Sequence, residues 1–226
     1  MIHTELRGVY AGYGGEDVLR GIDARLPRGG VTALVGSNGA GKSTLLAVLA
    51  GTLRPRAGEV SGPSRPRPAF VLQRSAVPDT LPLTVRDTVS MGRWAHRGPW
   101  RPLARHDRTV VERSMERVGI TGLAGRQLGE LSGGQRQRVL IAQGLAQEAD
   151  LLLLDEPSAG LDREAREQIA RVLASLGGQV TVVHATHFSD EAAEADHRLV
   201  LDQGRVVGSG SPEATAPSAG GVPSVR

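Results

Sequence analysis

Apolar residues along this chain fall into two kinds of pattern. Val31–Val35, Ala69–Leu72, Leu151–Leu154 and Val180–Ala185 are short, nearly unbroken apolar runs. They are too short for helices, and such runs suit strands covered on both faces of a parallel sheet. Elsewhere apolar positions return at helical spacing. A helix is predicted from the end of the glycine-rich loop to Gly51, and another where Val111, Met115 and Val118 precede Gly119. Val139, Ala142 and Ala146 form one stripe of a helix expected to begin near Gln135. Ala165, Ile169, Val172, Leu173 and Leu176 form another, capped by Asp162 and stopped at Gly177-Gly178. Alternating buried strands and amphipathic helices predict an α/β fold.

The flanks of this pattern differ from its centre. Leu6, Val9, Val18, Leu19 and Ile22 surround the turn Gly12-Tyr13-Gly14-Gly15, which predicts an antiparallel start over residues 1–30. Arg54 to Pro68 is rich in arginine and proline and reads as a solvated surface excursion. Residues 78–130 read as an inserted helical subdomain, with a helix start at Thr84 and Asp87. Arg93, Arg97, Arg101, Arg105 and Arg108 with Trp94 and Trp100 suggest either a partner surface or a solvated basic face with two packed indoles. A short acidic helix over 188–196 and a hairpin around Asp202-Gln203-Gly204 follow, and from Ser211 the composition is that of a frayed tail.

Composition narrows the chemistry. With 226 residues there is room for one α/β domain and a smaller subdomain. No apolar run approaches the length that spans a bilayer, and no signal peptide opens the chain, so a cytoplasmic protein is expected. The absence of cysteine excludes disulfides and thiol chemistry. A net charge of +3 and 3% aromatic residues give no basis for a nucleic-acid partner. Of the 27 basic residues only Lys42 is a lysine. A compact ammonium fits inside a loop where a planar guanidinium would not.

Lys42 lies in Gly36-Ser37-Asn38-Gly39-Ala40-Gly41-Lys42-Ser43-Thr44, which matches G-x-x-x-x-G-K-[ST] between a strand and a helix. Glycines let backbone N–H groups converge on a phosphate chain, and the helix dipole adds to the attraction. Lys42 is expected on the β- and γ-phosphates and the Ser43 hydroxyl on Mg²⁺. Asp155 and Glu156 end the leucine strand, where open α/β sheets bind ligands. Asp155 is expected to hold Mg²⁺ through water, and Glu156 to polarise an attacking water. Gln73 ends another strand, a place that suits reaching a metal or that water and equally suits a loop cap, and His187 follows a third. Ser132, Gly133, Gly134 and Gln135 form a second helix N-terminus built to receive an anion. Tyr13 suits stacking on a purine or an ordinary hairpin position, with Tyr10 competing. His184, His187 and His197 with Asp190, Glu191 and Asp196 raise a metal-site alternative, although nothing requires them to converge.

Together these pieces resemble the nucleotide-binding subunit of an ABC transporter over roughly residues 3–210. Leu131-Ser132-Gly133-Gly134-Gln135 matches the family signature letter for letter, Gly36–Thr44 the Walker A loop and Leu151–Glu156 Walker B. Ser158–Asp162 matches the D-loop, Gln73 the Q-loop, His187 the switch histidine and Tyr13 the adenine-stacking aromatic. Ser37 stands where the family often has proline. The resemblance implies a P-loop NTPase (RecA-like) core at 1–77 and 134–210 with an antiparallel β subdomain, an α-helical subdomain at 78–133 and a flexible tail at 211–226. It implies ATP and Mg²⁺ as cofactors, with catalytic roles for Glu156, His187, Lys42 and Gln73, and Mg²⁺ on Ser43, Gln73 and Asp155. It further implies a head-to-tail ATP-sandwich dimer, transmembrane permease subunits, indirectly a substrate-binding protein, no nucleic acid, and a place on the inner face of the cell membrane. The stretch Leu81–Val89 with Met91-Gly92-Arg93 resembles importers for zinc and manganese, the expected class from the layout before Gly119, with those for iron chelates and cobalamin as the alternative. A soluble ABC-type ATPase acting on DNA or the ribosome, and a phosphotransferase, are rivals. The first usually carries a coiled-coil insertion or a second cassette, and the second has no use for the signature.

Overall fold

The computed structural model describes residues 2–62, 68–71 and 82–213. Gln73, the segment 78–81 and the tail from 214 lie outside the described residues. Strands β1 (Ile2–Tyr13) and β2 (Glu16–Pro27) form the expected antiparallel start. After β3 (Val31–Val35), β4 (Ala57–Ser61) pairs with the other edge of β1. The solvated excursion expected over Arg54–Pro68 therefore includes a paired edge strand that composition did not announce. Four of the five β4 residues are exposed. An edge strand held through its backbone needs no apolar alternation, so periodicity could not announce it.

The main sheet contains β3, β5 (Ala69–Val71), β6 (Leu151–Leu154), β7 (Thr181–Thr186), β8 (His197–Asp202) and β9 (Arg205–Gly210). Among the described residues its order is β5-β6-β7-β3-β8-β9, parallel except for the β8–β9 hairpin. The four leucines of β6 are all buried, and successive side chains enter different cores. Leu151 and Leu153 join Leu34, Val183 and Ala185 against the antiparallel sheet and helix α1 (Lys42–Leu49). Leu152 and Leu154 join Ala33 and Val182 against α5 (Gly133–Leu145) and α6 (Arg163–Leu176). A strand sandwiched this way has no polar face, hence the unbroken run.

The helices follow their predicted stripes. In α6, Ile169, Leu173 and Leu176 are buried and Asp162 accepts a hydrogen bond from the Ala165 N–H at 2.8 Å. Helix α5 begins at Gly133, two residues earlier than expected, because Ser132 is its cap and accepts from Gln135 N at 3.3 Å. Within the insertion, α2 (Val85–Met91) carries the reciprocal Thr84–Asp87 box, α3 (Trp94–Arg97) is one turn, and α4 (Arg105–Arg117) buries Val111 and Met115. Both α2 and α4 pack on α5, and their apolar residues run without a break into the core beneath the sheet.

Arg93 does not belong to a solvated basic face. It is buried, donating to Asp107 at 3.0 Å, to the Ala146 carbonyl at 2.8 Å and to Glu148 at 2.7 Å. Nor are the two indoles packed, since Trp94 is 44% and Trp100 93% exposed. Helix α7 (Ser189–Ala193) is shorter than the predicted 188–196.

Candidate functional site

Strands β6, β7 and β3 are neighbours, so the segments leaving their carboxyl ends are brought side by side. The loop after β3 runs into α1, and Gly41 at the helix cap has φ 104°, in the left-handed region where a side chain would be strained. A Cβ on Gly41 would stand 2.9 Å from Leu19 Cδ2, and one on Gly36 2.5 Å from the Leu201 carbonyl oxygen. The loop is therefore pressed between β2 and β8. From behind, the Gly204 N–H donates to the Ala40 carbonyl at 3.0 Å. Neither β2 nor the β8–β9 turn carries a phosphate-loop signature, so sequence reasoning missed this bracing.

Lys42 is buried and donates to the Gly36 and Ser37 carbonyls at 2.8 and 3.1 Å. Its Nζ is also 3.6 Å from Glu156 Oε1, and His187 Nδ1 lies 3.8 Å from the same oxygen. Three residues from three segments thus meet around one carboxylate oxygen. Glu156 holds a left-handed backbone, φ 45°, which is uncommon for a non-glycine residue and concentrates at functional sites. The cleft there is about 370 Å³ and is lined by Val18, Asn38, Gly39, Gly41, Lys42, Ser43, Thr44, Asp155 and Glu156. Val18 was not among the expected residues. Ser37 is exposed beside the cleft and Ala40 is buried behind it.

Burial pushes the Asp155 carboxyl above the usual carboxylate range, with Glu156 adding to the rise, while a hydrogen bond from Ser43 and the Lys42 charge oppose it. A half-buried carboxylate beside a hydroxyl is an all-oxygen donor pair, and it fits a hard divalent cation. That charge would offset the cost of keeping Asp155 ionised. The glycine-lined loop with its single ammonium fits a polyphosphate in the same way.

Tyr13 is 59% exposed at the end of β1, while Tyr10 is 37% exposed with its hydroxyl turned toward Gly21. Ser132, Gly133, Gly134 and Gln135 do not line the cleft. Gly134 instead lies against α6, where a Cβ would meet that of Ala165 at 2.8 Å. The N-terminus of α5 is therefore separate from the cleft at the N-terminus of α1. The histidine-centred metal site is not assembled: among the described residues no group of His, Asp and Glu converges for a metal. His184 is buried, Asp196 accepts from the Val31 N–H at 2.8 Å, and His197 contacts Ser209.

Comparison with known proteins adds four findings. The family model for ABC transporters matches residues 19–159. Among curated proteins, the hemin import ATP-binding protein HmuV of Nocardia farcinica is 43% identical over 210 residues, 87% of this chain and 72% of that protein. The zinc transport system ATP-binding protein TroB of Treponema pallidum is 40% identical over 210 residues, 88% of this chain and 77% of that one. Among solved structures, an ABC transporter of proposed metal-chelate type in an inward-facing conformation is similar with a TM-score of 0.86 at 30% identity, covering 96% of this chain and 86% of that one.

Proposed function

The chain belongs to the ABC transporter family as an ATP-binding, ATP-hydrolysing subunit, and from that premise we propose that two copies trap ATP between them to power import of a divalent metal, zinc or manganese. The observation that carries the catalytic part is the meeting of Lys42 and His187 at Glu156 Oε1. Glu156 takes the proton of the attacking water as general base. Lys42 turns from the loop carbonyls to the β- and γ-phosphates, and His187 donates to the transferred phosphoryl group. Ser43 and Asp155 would hold Mg²⁺, with Gln73 as a further ligand, and the ion would supply charge neutralisation for the phosphate chain. Tyr13 stacks on adenine.

Because Ser132–Gln135 lie away from the chain's own cleft, they close on the ATP of a second copy, head to tail. Residues 78–133 form the helical subdomain that meets the transmembrane permease subunits, with the core at 1–77 and 134–210. Exposed Trp94 and Trp100 support a partner surface there. Among the described residues no helix is long and apolar enough to cross a membrane. Docked on the permease subunits, the chain works peripherally on the inner face of the membrane, with a substrate-binding protein delivering cargo on the other side.

The zinc relative supports the metal reading. A second reading, an iron-chelate or hemin importer, is favoured by the hemin relative and the metal-chelate type structure. Vesicles holding the chain with its copurified membrane partner separate the two. ATP-dependent accumulation of zinc or manganese is expected. Accumulation of hemin in their place transfers the assignment to the second reading, and copurification with DNA or ribosomes overturns both.

A further inference from the structure

Glu191, on the short helix α7, is only 7% exposed, yet it is an acid outside the cleft. Its Oε2 accepts a hydrogen bond from the Thr186 hydroxyl at 2.6 Å. The same hydroxyl accepts from the Phe188 N–H at 3.1 Å, so it bridges the two residues that flank His187. The Phe188 ring lies 4.1 Å from the His187 ring, and the Arg166 guanidinium lies 4.2 Å over the Phe188 ring. Ser158, two residues beyond Glu156, lines the same small cavity as Glu191, and its hydroxyl opposes the rise that burial gives the Glu191 carboxyl. One buried carboxyl group therefore stands between the two segments that carry Glu156 and His187.

The second oxygen of that group, Oε1, and His184 Nδ1 are both buried without a hydrogen-bond partner among the described residues. His184 and Glu191 line the same small cavity of about 10 Å³, together with Ser158 and Glu194. That is room for about one water molecule, and the lining offers the two to four polar partners a buried water requires. Leaving such polar atoms dry would be costly, whereas a bridging water satisfies both.

We propose that Glu191 is a positioning residue for ATP hydrolysis, locking the Ser158 and His187 segments into one unit around a single ordered water shared with His184. The inference rests on the role assigned to His187 above. A loosened segment displaces His187 from Glu156, and a misplacement of about 1 Å can cost up to ~100-fold in rate.

The test is steady-state ATP hydrolysis by the chain assembled with its membrane partner. Glu191→Ala is expected to lower kcat about tenfold, within the range for a misplaced group, with KM for ATP little changed. Glu191→Gln keeps an acceptor oxygen for Thr186 and is expected to recover most of the rate. Thr186→Val should reproduce the loss, and the double variant should fall no further, because both changes break one unit. A glutamine variant as slow as the alanine variant, or additive losses, overturns the inference. If Glu191→Ala hydrolyses at the parent rate while His187→Ala does not, the inference alone falls. If neither variant is slowed, the role of His187 falls with it. A crystal structure of the complex is expected to show one water between His184 Nδ1 and Glu191 Oε1, and a dry cavity overturns that part.

Discussion

The ammonium of Lys42 stands 3.6 Å from a carboxylate oxygen of Glu156, although 113 positions separate the two in sequence. Each restrains the other before nucleotide arrives, and each has a different task once it does. Glu156→Gln removes the base but leaves the loop intact. ATP binding should persist while hydrolysis falls by about 10²–10⁴ and a closed dimer accumulates. Sedimentation in Mg-ATP together with phosphate release checks this, and a variant that hydrolyses normally removes Glu156 from the base role.

Lys42→Ala should instead weaken nucleotide binding itself, because the ammonium is the one charged group of the loop. Fluorescent ATP titration is the measurement. Unchanged affinity would show that the backbone N–H groups suffice.

Gly134 touches α6 so closely that a side chain displaces the start of α5, a Cβ lying 2.8 Å from that of Ala165. Gly134→Val should leave nucleotide binding by the single chain intact and abolish ATP-driven dimerisation. Dimer formation in the Glu156→Gln background reads this out directly.

Arg93 joins the insertion to the carboxyl end of α5 through Asp107, Ala146 and Glu148, with Arg97 as a second partner of Asp107 at 2.6 Å. Removing one member of a buried pair strands the other, so Arg93→Ala should destabilise the fold by about 3 kcal/mol. Exposed Arg101→Ala, in the same segment, should stay within about 0.5 kcal/mol. Urea denaturation of the two variants makes the comparison.

Burial lowers the His184 pKa to about 4. An unfolded chain binds this proton near pH 6.5, so between the two values the unfolded state holds more protons. Stability is thus lost as pH falls from about 6.5 towards 4, by up to about 3 kcal/mol from this residue, and the contribution is full above that window. The difference in melting temperature between parent and His184→Leu across this range isolates the effect. Parallel curves would refute it.

Much of this was readable along the chain, because the signals are local. The four leucines of β6 announce a strand without a polar face, Thr84 and Asp87 announce a cap, and Gly36–Thr44 announces a phosphate cradle, each from chemistry within one element. Strand β4 escaped because its pairing uses backbone groups that every residue has. The placement of the two tryptophans escaped because an aromatic residue fits a core and a surface equally well until its neighbours are known.

What only the tertiary structure decided are relations across the fold. The order β6-β7-β3 places the carboxylate after Leu154, the imidazole after Thr186 and the ammonium at Lys42 around one point. Val18, the brace from Gly204 and the hold of Glu191 on Thr186 arise the same way, from strands whose partners lie far along the chain. Residue type and spacing specify what a segment is able to do. Which segments meet is set by packing the two faces of the sheet, and that free energy belongs to the whole core rather than to any one stretch.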